Sequence, residues 1–597
     1  MAKLIFINMH MKFIPFFNIR IFAKHCFLFC TLVMFISCSD SSNYISNEYK
    51  INTYMSLLNT NYSQDNLITL TSYNLNKVIV EFEDGNIVEM ETKLVTIQKN
   101  NWFIQFTFLN NSTLDIGSVG NILEFNYENE DNSIVPLSRK FVVNIPFDGL
   151  INWKTHGRNG ESSDINSGNF EVAGGDNTFF VHGLYVDNPT EVTISYKNSN
   201  NDIRYMETFD ITSNNFINSI NPINILLTVS TEPEKQRFLL LAHRSGSGPL
   251  IIDQYGDIRY YLNKTPAPLS EPFYGLKQTS SGSLIWATSN TINEYEIDGT
   301  LITSTEIPEK YGSIHHDIVK YDTKKYFLTV NDNELTTVED IIILYDADLD
   351  LVLNEWDLNK SVPKSDYFIG SDGRSQTFND WFHTNAIDYI ETDNTILVSG
   401  QRSGVVKLSW DNELIWFLTD IDRFMNESEI IKNKILFNQY EDVITWGQHN
   451  IQFDEVNEDY YLFDNGLGRN YSNQEKFSRG VKFKVNDADF SYDVIDTYGE
   501  EYSDYHSPII SGIDFNSAGY TLNLFGSIGY ELEYINNKDW VGNIWKSTQP
   551  DHGSVIQEYD PLGNLTLELK VLSLQQNDNS IWYNKDPGIY RASYFIF

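Results

Sequence analysis

Between about residue 238 and residue 572 the chain repeats one unit, read as strand, turn, strand, Asp/Asn/Gly hairpin, strand. FLLLAHR (238–244) leads to PLIIDQYGDIRYYL (249–262), and SLIWATSN (283–290) leads to INEYEIDGTLITSTEI (292–307). KYFLTVND (325–332), TILVSGQ (395–401), YYLFDNG (460–466) and YTLNLFGS (520–527) open four more units. Six units of about 60 residues each exceed the roughly 40–45 of the most compact propeller blades and leave room for long loops. This recurrence predicts an all-β protein whose main body is a six-bladed β-propeller, with first and last units sharing strands to close the ring. An open β-solenoid is the alternative.

Upstream of the repeat the pattern alternates apolar and polar residues with Gly, Asn and Asp between runs, as hairpins require. KVIVEFED (77–84), NIVEMETKLVTIQ (86–98) and WFIQFTFLN (102–110) form one set, and TFFVHGLYV (178–186), EVTISYKN (191–198) and IRYMETFDIT (203–212) another. Together they predict one or two β-sandwich modules, at 66–145 and 146–232, before a propeller at 233–597. Glu232-Pro233-Glu234-Lys235 marks the last boundary.

The N-terminus carries Lys3, Lys12, Arg20 and Lys24, an apolar run from Cys26 to Ile36, then Ser37-Cys38-Ser39-Asp40. That run is too short to span a bilayer and reads as an export signal. A small residue before cysteine predicts a lipoprotein-type signal at 1–37, lipidation at Cys38, and a polar tether at 38–65; a plain secretory signal is the alternative. The expected location is therefore periplasmic or outer-membrane-associated, with membrane contact through the N-terminal lipid. The only three cysteines are Cys26, Cys30 and Cys38, so no disulfide would remain in the processed chain.

The 81 acidic against 42 basic residues give a net charge of −39, which argues against a nucleic-acid partner. An anionic substrate would need cations placed locally. The 35 Tyr, 38 Phe and 11 Trp supply an aromatic core.

Chemistry concentrates where three strand patterns begin: His315-His316-Asp317 before IVKYD, His383-Thr384-Asn385 before AIDY, and His449-Asn450 before IQFD. Asp317, Asn385 and His449 recur roughly 65 residues apart, which is the unit spacing. Equivalent positions in successive blades face one channel, so residues far apart in sequence should converge there. Strand alternation aligns His315 with His383 and Asp317 with Asn385 on one face, with His449 joining them, and turns His316 away unless its strand begins later.

These segments resemble the bacterial PAPS-independent arylsulfotransferases. The resemblance lies in SIHHD (313–317), DWFHTNAI (380–387), TILVSGQRSGVVKL (395–408), TWGQHN (445–450), FDNGLGR (463–469) and the closing YRASYFIF (590–597). It covers the propeller, and HGLYVDNPTEVTISY (182–196) extends it into the preceding β-module. It implies sulfuryl transfer from an aryl sulfate to a phenol, without a nucleotide donor or other cofactor and without a metal. His449 would be the nucleophile that becomes a sulfohistidine, and His383 the acid and then the base. Asn385 would donate to a sulfuryl oxygen, with His315 or His316 as a further donor. Arg402 is the expected fixed cation, although the family arginine would fall near Gly400; Arg479 is held in reserve. A cysteine pair that some relatives carry before the nucleophile has no counterpart in 420–445. Trp381, Phe382 and Trp446 flank these positions as aryl-binding or core aromatics, and a homodimer is the assembly the resemblance suggests.

Two other function classes fit the same residues. One is a non-catalytic propeller that binds glycans or proteins. The other is a metal-dependent lyase or hydrolase, disfavoured because Asp317 is the only acid in the histidine motifs.

Overall fold

In the computed structural model, the described residues lie within 52–597. Residues 1–51 and a series of internal stretches, the longest being 57–66, 214–222, 264–272, 372–378, 533–544 and 574–587, fall outside them. The signal segment and Cys38 therefore lie outside the described residues.

The repeat folds as antiparallel sheets of four or five strands, six of them among the described residues. Each places one strand at an inner edge: Tyr274–Gln278, Tyr311–Asp322, Thr384–Ile390, His449–Asp454, Gly512–Phe515 and Ile589–Tyr594. These strands contact one another in succession, and the last returns to the first, so the sheets form a ring around a common channel. This is the geometry of a propeller, as the repeating units predict.

Both chain ends take part in closure. Ile223–Ser230 adds an outer strand to the sheet built from C-terminal residues, with Leu227 opposite Leu569. Ile589–Tyr594 adds the inner strand to the sheet that begins at Phe238, with Leu240 opposite Ser593. The propeller thus begins about ten residues before the boundary expected at 233.

The inner edges raise a physical problem, because a strand facing a channel has backbone N–H groups with no ladder partner. Aspartates from the preceding blade answer it. Asp317 accepts from the Ile387 N–H (3.1 Å), Asp388 from Phe453 (2.8 Å) and Asp514 from Tyr594 (2.8 Å). Asp317 therefore latches two blades together and also pairs with Lys277 at 3.0 Å, which removes it from the site its sequence position suggested.

The preceding modules are arranged differently from expectation. Asn52–Ser56, inside the expected tether, pairs with Thr113–Gly117 and completes one six-stranded sheet. Ser138–Ile145 pairs with Gly175–His182, placing Phe141 opposite Phe179, so the expected boundary at 145 cuts through a sheet. The second module is a sandwich of this three-stranded sheet and a five-stranded one. Its core, including Phe141, Ile151 and Tyr196, runs continuously into Trp286 and Tyr295 of the propeller. Arg259 fastens the join, donating to the carbonyls of Gly183 (2.9 Å) and Ser163 (2.5 Å) and pairing with Asp253 (3.2 Å). Gly183 has φ +85°, and a side chain there would collide with Ile165.

Candidate active site

Three inner strands carry the same backbone irregularity. Register slips between Ile314 and Ile318, between Thr384 and Ala386, and between His449 and Ile451. His316 (φ 58°) and Asn450 (φ 60°) within two of these bulges, and His383 (φ 58°) just before the third, adopt left-handed backbone, which costs non-glycine residues of order 1–3 kcal/mol each. A bulge breaks the two-residue alternation, and this is why the expected parity fails at His316. Both His315 and His316 enter the cluster, with Nδ1 atoms 3.0 Å apart. The His316 ring also lies 4.9 Å from that of His383, centroid to centroid.

His449 is buried, and its environment fixes its tautomer. Nδ1 lies 2.9 Å from Asn465 Oδ1 and 3.2 Å from the Gly447 carbonyl. The amide orientation is not arbitrary, because Asn465 Nδ2 donates to the carbonyls of Ser507 (2.6 Å) and Ile510 (2.8 Å). Nδ1 therefore faces two acceptors and must carry the proton, which leaves Nε2 with a free lone pair. Burial lowers the His449 pKa to about 3, against the Asn465 hydrogen bond that raises it, so the ring is neutral at ordinary pH.

His383 has the opposite environment. Its Nδ1 lies 2.9 Å from Asp380 Oδ2 and 2.5 Å from Glu339 Oε2. Burial pulls its pKa down, but the two carboxylates outweigh this and raise it to about 9. Burial opposes their charge, yet His383 holds the Asp380 and Glu339 carboxyls below their ordinary range. Burial lowers His315 and His316, so these two stay neutral. The site thus contains one imidazolium among neutral imidazoles, a separation that suits one ring to proton donation and another to attack.

Because the folded pKa of His383 exceeds its ordinary 6.5, its stabilising contribution is complete below that value and is lost as pH rises through about 9. Glu339→Gln should lower the His383 titration midpoint by about one to three pH units, because it removes one favourable charge. Histidine side-chain NMR across pH 5–11 reads this directly; an unmoved midpoint would mean that Glu339 does not act on the ring.

Arg402 is buried, and it binds both the carboxylate and the carbonyl of Asp380. Its charge is therefore matched by an acid. Arg479 is held by Asp464 (3.2 Å), Asp442 (3.0 Å) and Glu500 (3.1 Å). Asn385 is fully buried and donates from Nδ2 to the Gln448 carbonyl at 2.6 Å, which ties the third inner strand to the residue before His449.

The flanking aromatics take the structural role. Trp381 and Phe382 are fully buried in a hydrophobic cluster, and Trp381 Nε1 donates to Asp340 at 2.9 Å. Trp446 is buried beneath the Arg423 guanidinium. The rings against the histidines are instead Tyr274, 5.7 Å from His316, and Tyr590, 6.3 Å from it.

Sequence reasoning missed Glu339, Tyr274, Tyr590 and Arg591. Glu339 is one of many acidic residues in a loop, without a distinguishing neighbour. Tyr590 and Arg591 lie in the closing YRASYFIF, and ring closure by the last strand was the signal that could have found them. The donor atoms of His315, His316 and Glu339, and those of Glu339, Asp380 and His383, lie within 4.8 Å of one another in each trio. Such mixed imidazole–carboxylate sets could hold a divalent ion, so the objection that only Asp317 supplied an acid does not stand.

Among known proteins, the chain aligns with two proteins named arylsulfate sulfotransferase AssT. The one from Escherichia coli is 22% identical over 46% of this chain and 57% of its own length. The one from Lelliottia amnigena is 21% identical over 55% of this chain and 63% of its own length. The chain therefore spans less than two thirds of either relative. A solved extracellular domain of a putative hybrid two component system, BT3049 from B. thetaiotaomicron, superposes with TM-score 0.31 and 11% identity, over 88% of this chain and 61% of that one. The model of the family described as Arylsulfotransferase (ASST) matches residues 224–583, which takes in the ring from its first outer strand up to, but not including, the closing strand Ile589–Tyr594, and all three histidine segments. With well over half of the chain covered, the protein belongs to the arylsulfotransferase family.

Proposed function

We propose that this protein moves a sulfuryl group from an aryl sulfate to a phenolic acceptor in two steps, through a sulfated His449. The observation that carries this reading is the enforced tautomer of His449, which leaves a neutral imidazole with Nε2 available. In the first step Nε2 attacks sulfur, the S–O bond to the aryl group breaks, and His383 gives its proton to the departing phenolate oxygen. His449 then carries the sulfuryl group while Nδ1–H stays bonded to Asn465 and Gly447. In the second step the acceptor phenol loses its proton to neutral His383, its oxygen bonds to sulfur, and the N–S bond breaks. The transition state is loose, with charge on the sulfuryl and leaving oxygens, so proton donation and nearby cations matter more than the strength of the nucleophile. His315 and His316 add imidazole donors. Asn385 keeps a second amide hydrogen for a sulfuryl oxygen, and Arg402 acts through its pairing with Asp380.

The test is 4-nitrophenyl sulfate with and without a phenol acceptor. Coloured phenol and a sulfated acceptor should appear together, with parallel double-reciprocal plots; failure of both would leave a binding propeller. A second reading, metal-dependent lyase or hydrolase chemistry, is favoured only by the clustered donor atoms. Activity that falls on chelation and returns with Mn²⁺ or Zn²⁺ would support it; unchanged turnover in chelator would favour sulfuryl transfer.

We also propose export with lipidation at Cys38, supported by the N-terminal pattern. Radiolabelled palmitate should be incorporated by the natural chain and lost in Cys38→Ala; equal incorporation would refute it. Among the described residues no helix is long and apolar enough to cross a membrane.

A further inference from the structure

Sulfuryl transfer, if it proceeds as proposed, places an anionic SO₃ group on the His449 ring, which turns cationic as Nε2 attacks, after His383 has surrendered its proton. The site must then hold that charge with what remains. His315 and His316 are kept neutral by burial. Arg402 is matched by the Asp380 carboxylate.

One other guanidinium reaches the cluster. Arg591 stands on the inner strand Ile589–Tyr594, is buried, and is near enough to His449 for its charge to act on that ring. Its Nη1 donates to Asn450 Oδ1, beside the nucleophile, and Nη2 lies 3.5 Å from the Asn385 carbonyl. Both partners are neutral. Its Nε is buried with no hydrogen-bond partner, and so is Asn385 Oδ1. Among the described residues it forms no ion pair; Asp514, whose charge acts with it, accepts the Tyr594 N–H at 2.8 Å. Gly512 admits it, because a side chain there would sit 3.3 Å from Arg591 Cδ. A buried guanidinium without a carboxylate partner is costly unless an anion completes it.

We infer that Arg591, rather than Arg402, supplies the uncompensated positive charge that stabilises the sulfuryl group on His449, so that the strand closing the ring also completes the site. It acts as a positioning residue through its charge and through its grip on Asn450 and Asn385. A purely structural Arg591 would stitch the ring by hydrogen bonds alone, and glutamine keeps a donor while removing the charge.

The test uses the full chain. Arg591→Gln should slow the first-turnover burst from 4-nitrophenyl sulfate by about 10²–10³-fold. Arg591→Lys should recover part of that loss, added guanidine should partly rescue the Gln variant, and the melting temperature should stay within a few degrees. A near-natural burst in Arg591→Gln would overturn the proposal, as would equal loss in both variants without guanidine rescue. Binding of 4-nitrophenyl sulfate to His449→Gln, with and without Arg591→Gln, makes the result independent of turnover: tenfold or greater weakening is expected, and equal affinity would refute the role. Absence of any burst from the natural protein would instead defeat the sulfuryl-transfer reading and leave the binding comparison to decide on Arg591.

Discussion

His449→Ala is expected to lose at least about 10⁴-fold in aryl sulfate turnover, on the scale seen when a covalent nucleophile is removed. The loss should fall on the first step, so no phenol burst should precede steady state. His449→Gln should behave alike, because an amide fills the buried space but offers no basic lone pair. The fold tolerates the change if glutamine keeps a contact with Asn465, whose own amide remains held by Ser507 and Ile510. A variant that melts normally and still turns over at a tenth of the natural rate would remove His449 from the chemistry.

The second large effect concerns His383, and it should depend on the leaving group. His383→Gln should lose about 10²–10⁴-fold with phenyl sulfate, whose phenolate needs a proton to depart. The loss should be much smaller with 4-nitrophenyl sulfate, whose phenolate is stable unprotonated. The natural protein's first step should decline above about pH 9, where His383 loses its proton. It should stay level down through neutral and mildly acidic pH, since His449 does not protonate until about 3. Burst rates measured across pH with both esters separate these effects. Equal losses with the two esters would deny His383 an acid role.

The ring itself was legible because a propeller repeats its strand grammar, and local pattern survives at every unit. Convergence of His315, His383 and His449 followed from the same periodicity. Alternation along a strand failed at His316, because a bulge with left-handed backbone inserts there, and HHD carries no glycine to announce it. Asp317 shared the motif but is spent on the Ile387 N–H, a bond between blades that one strand's sequence cannot reveal. Glu339 was invisible for a related reason: it reaches His383 from a loop in the preceding sheet, and the loop is fixed by the Thr384 N–H donating to its carbonyl at 3.0 Å. Of the two readings open for the flanking aromatics, the core one holds for Trp381 and Phe382, which face the interior between sheets, whereas Tyr274 and Tyr590 sit on inner strands. The family resemblance singled out His449; only the ring's closure identified what surrounds it.

The most direct measurement is site-resolved mass spectrometry of the protein after brief exposure to 4-nitrophenyl sulfate without an acceptor. One acid-labile SO₃ group on His449, discharged when a phenol is added, is the predicted result. Sulfated acceptor formed without any enzyme-bound label, or label confined to another residue, would contradict it.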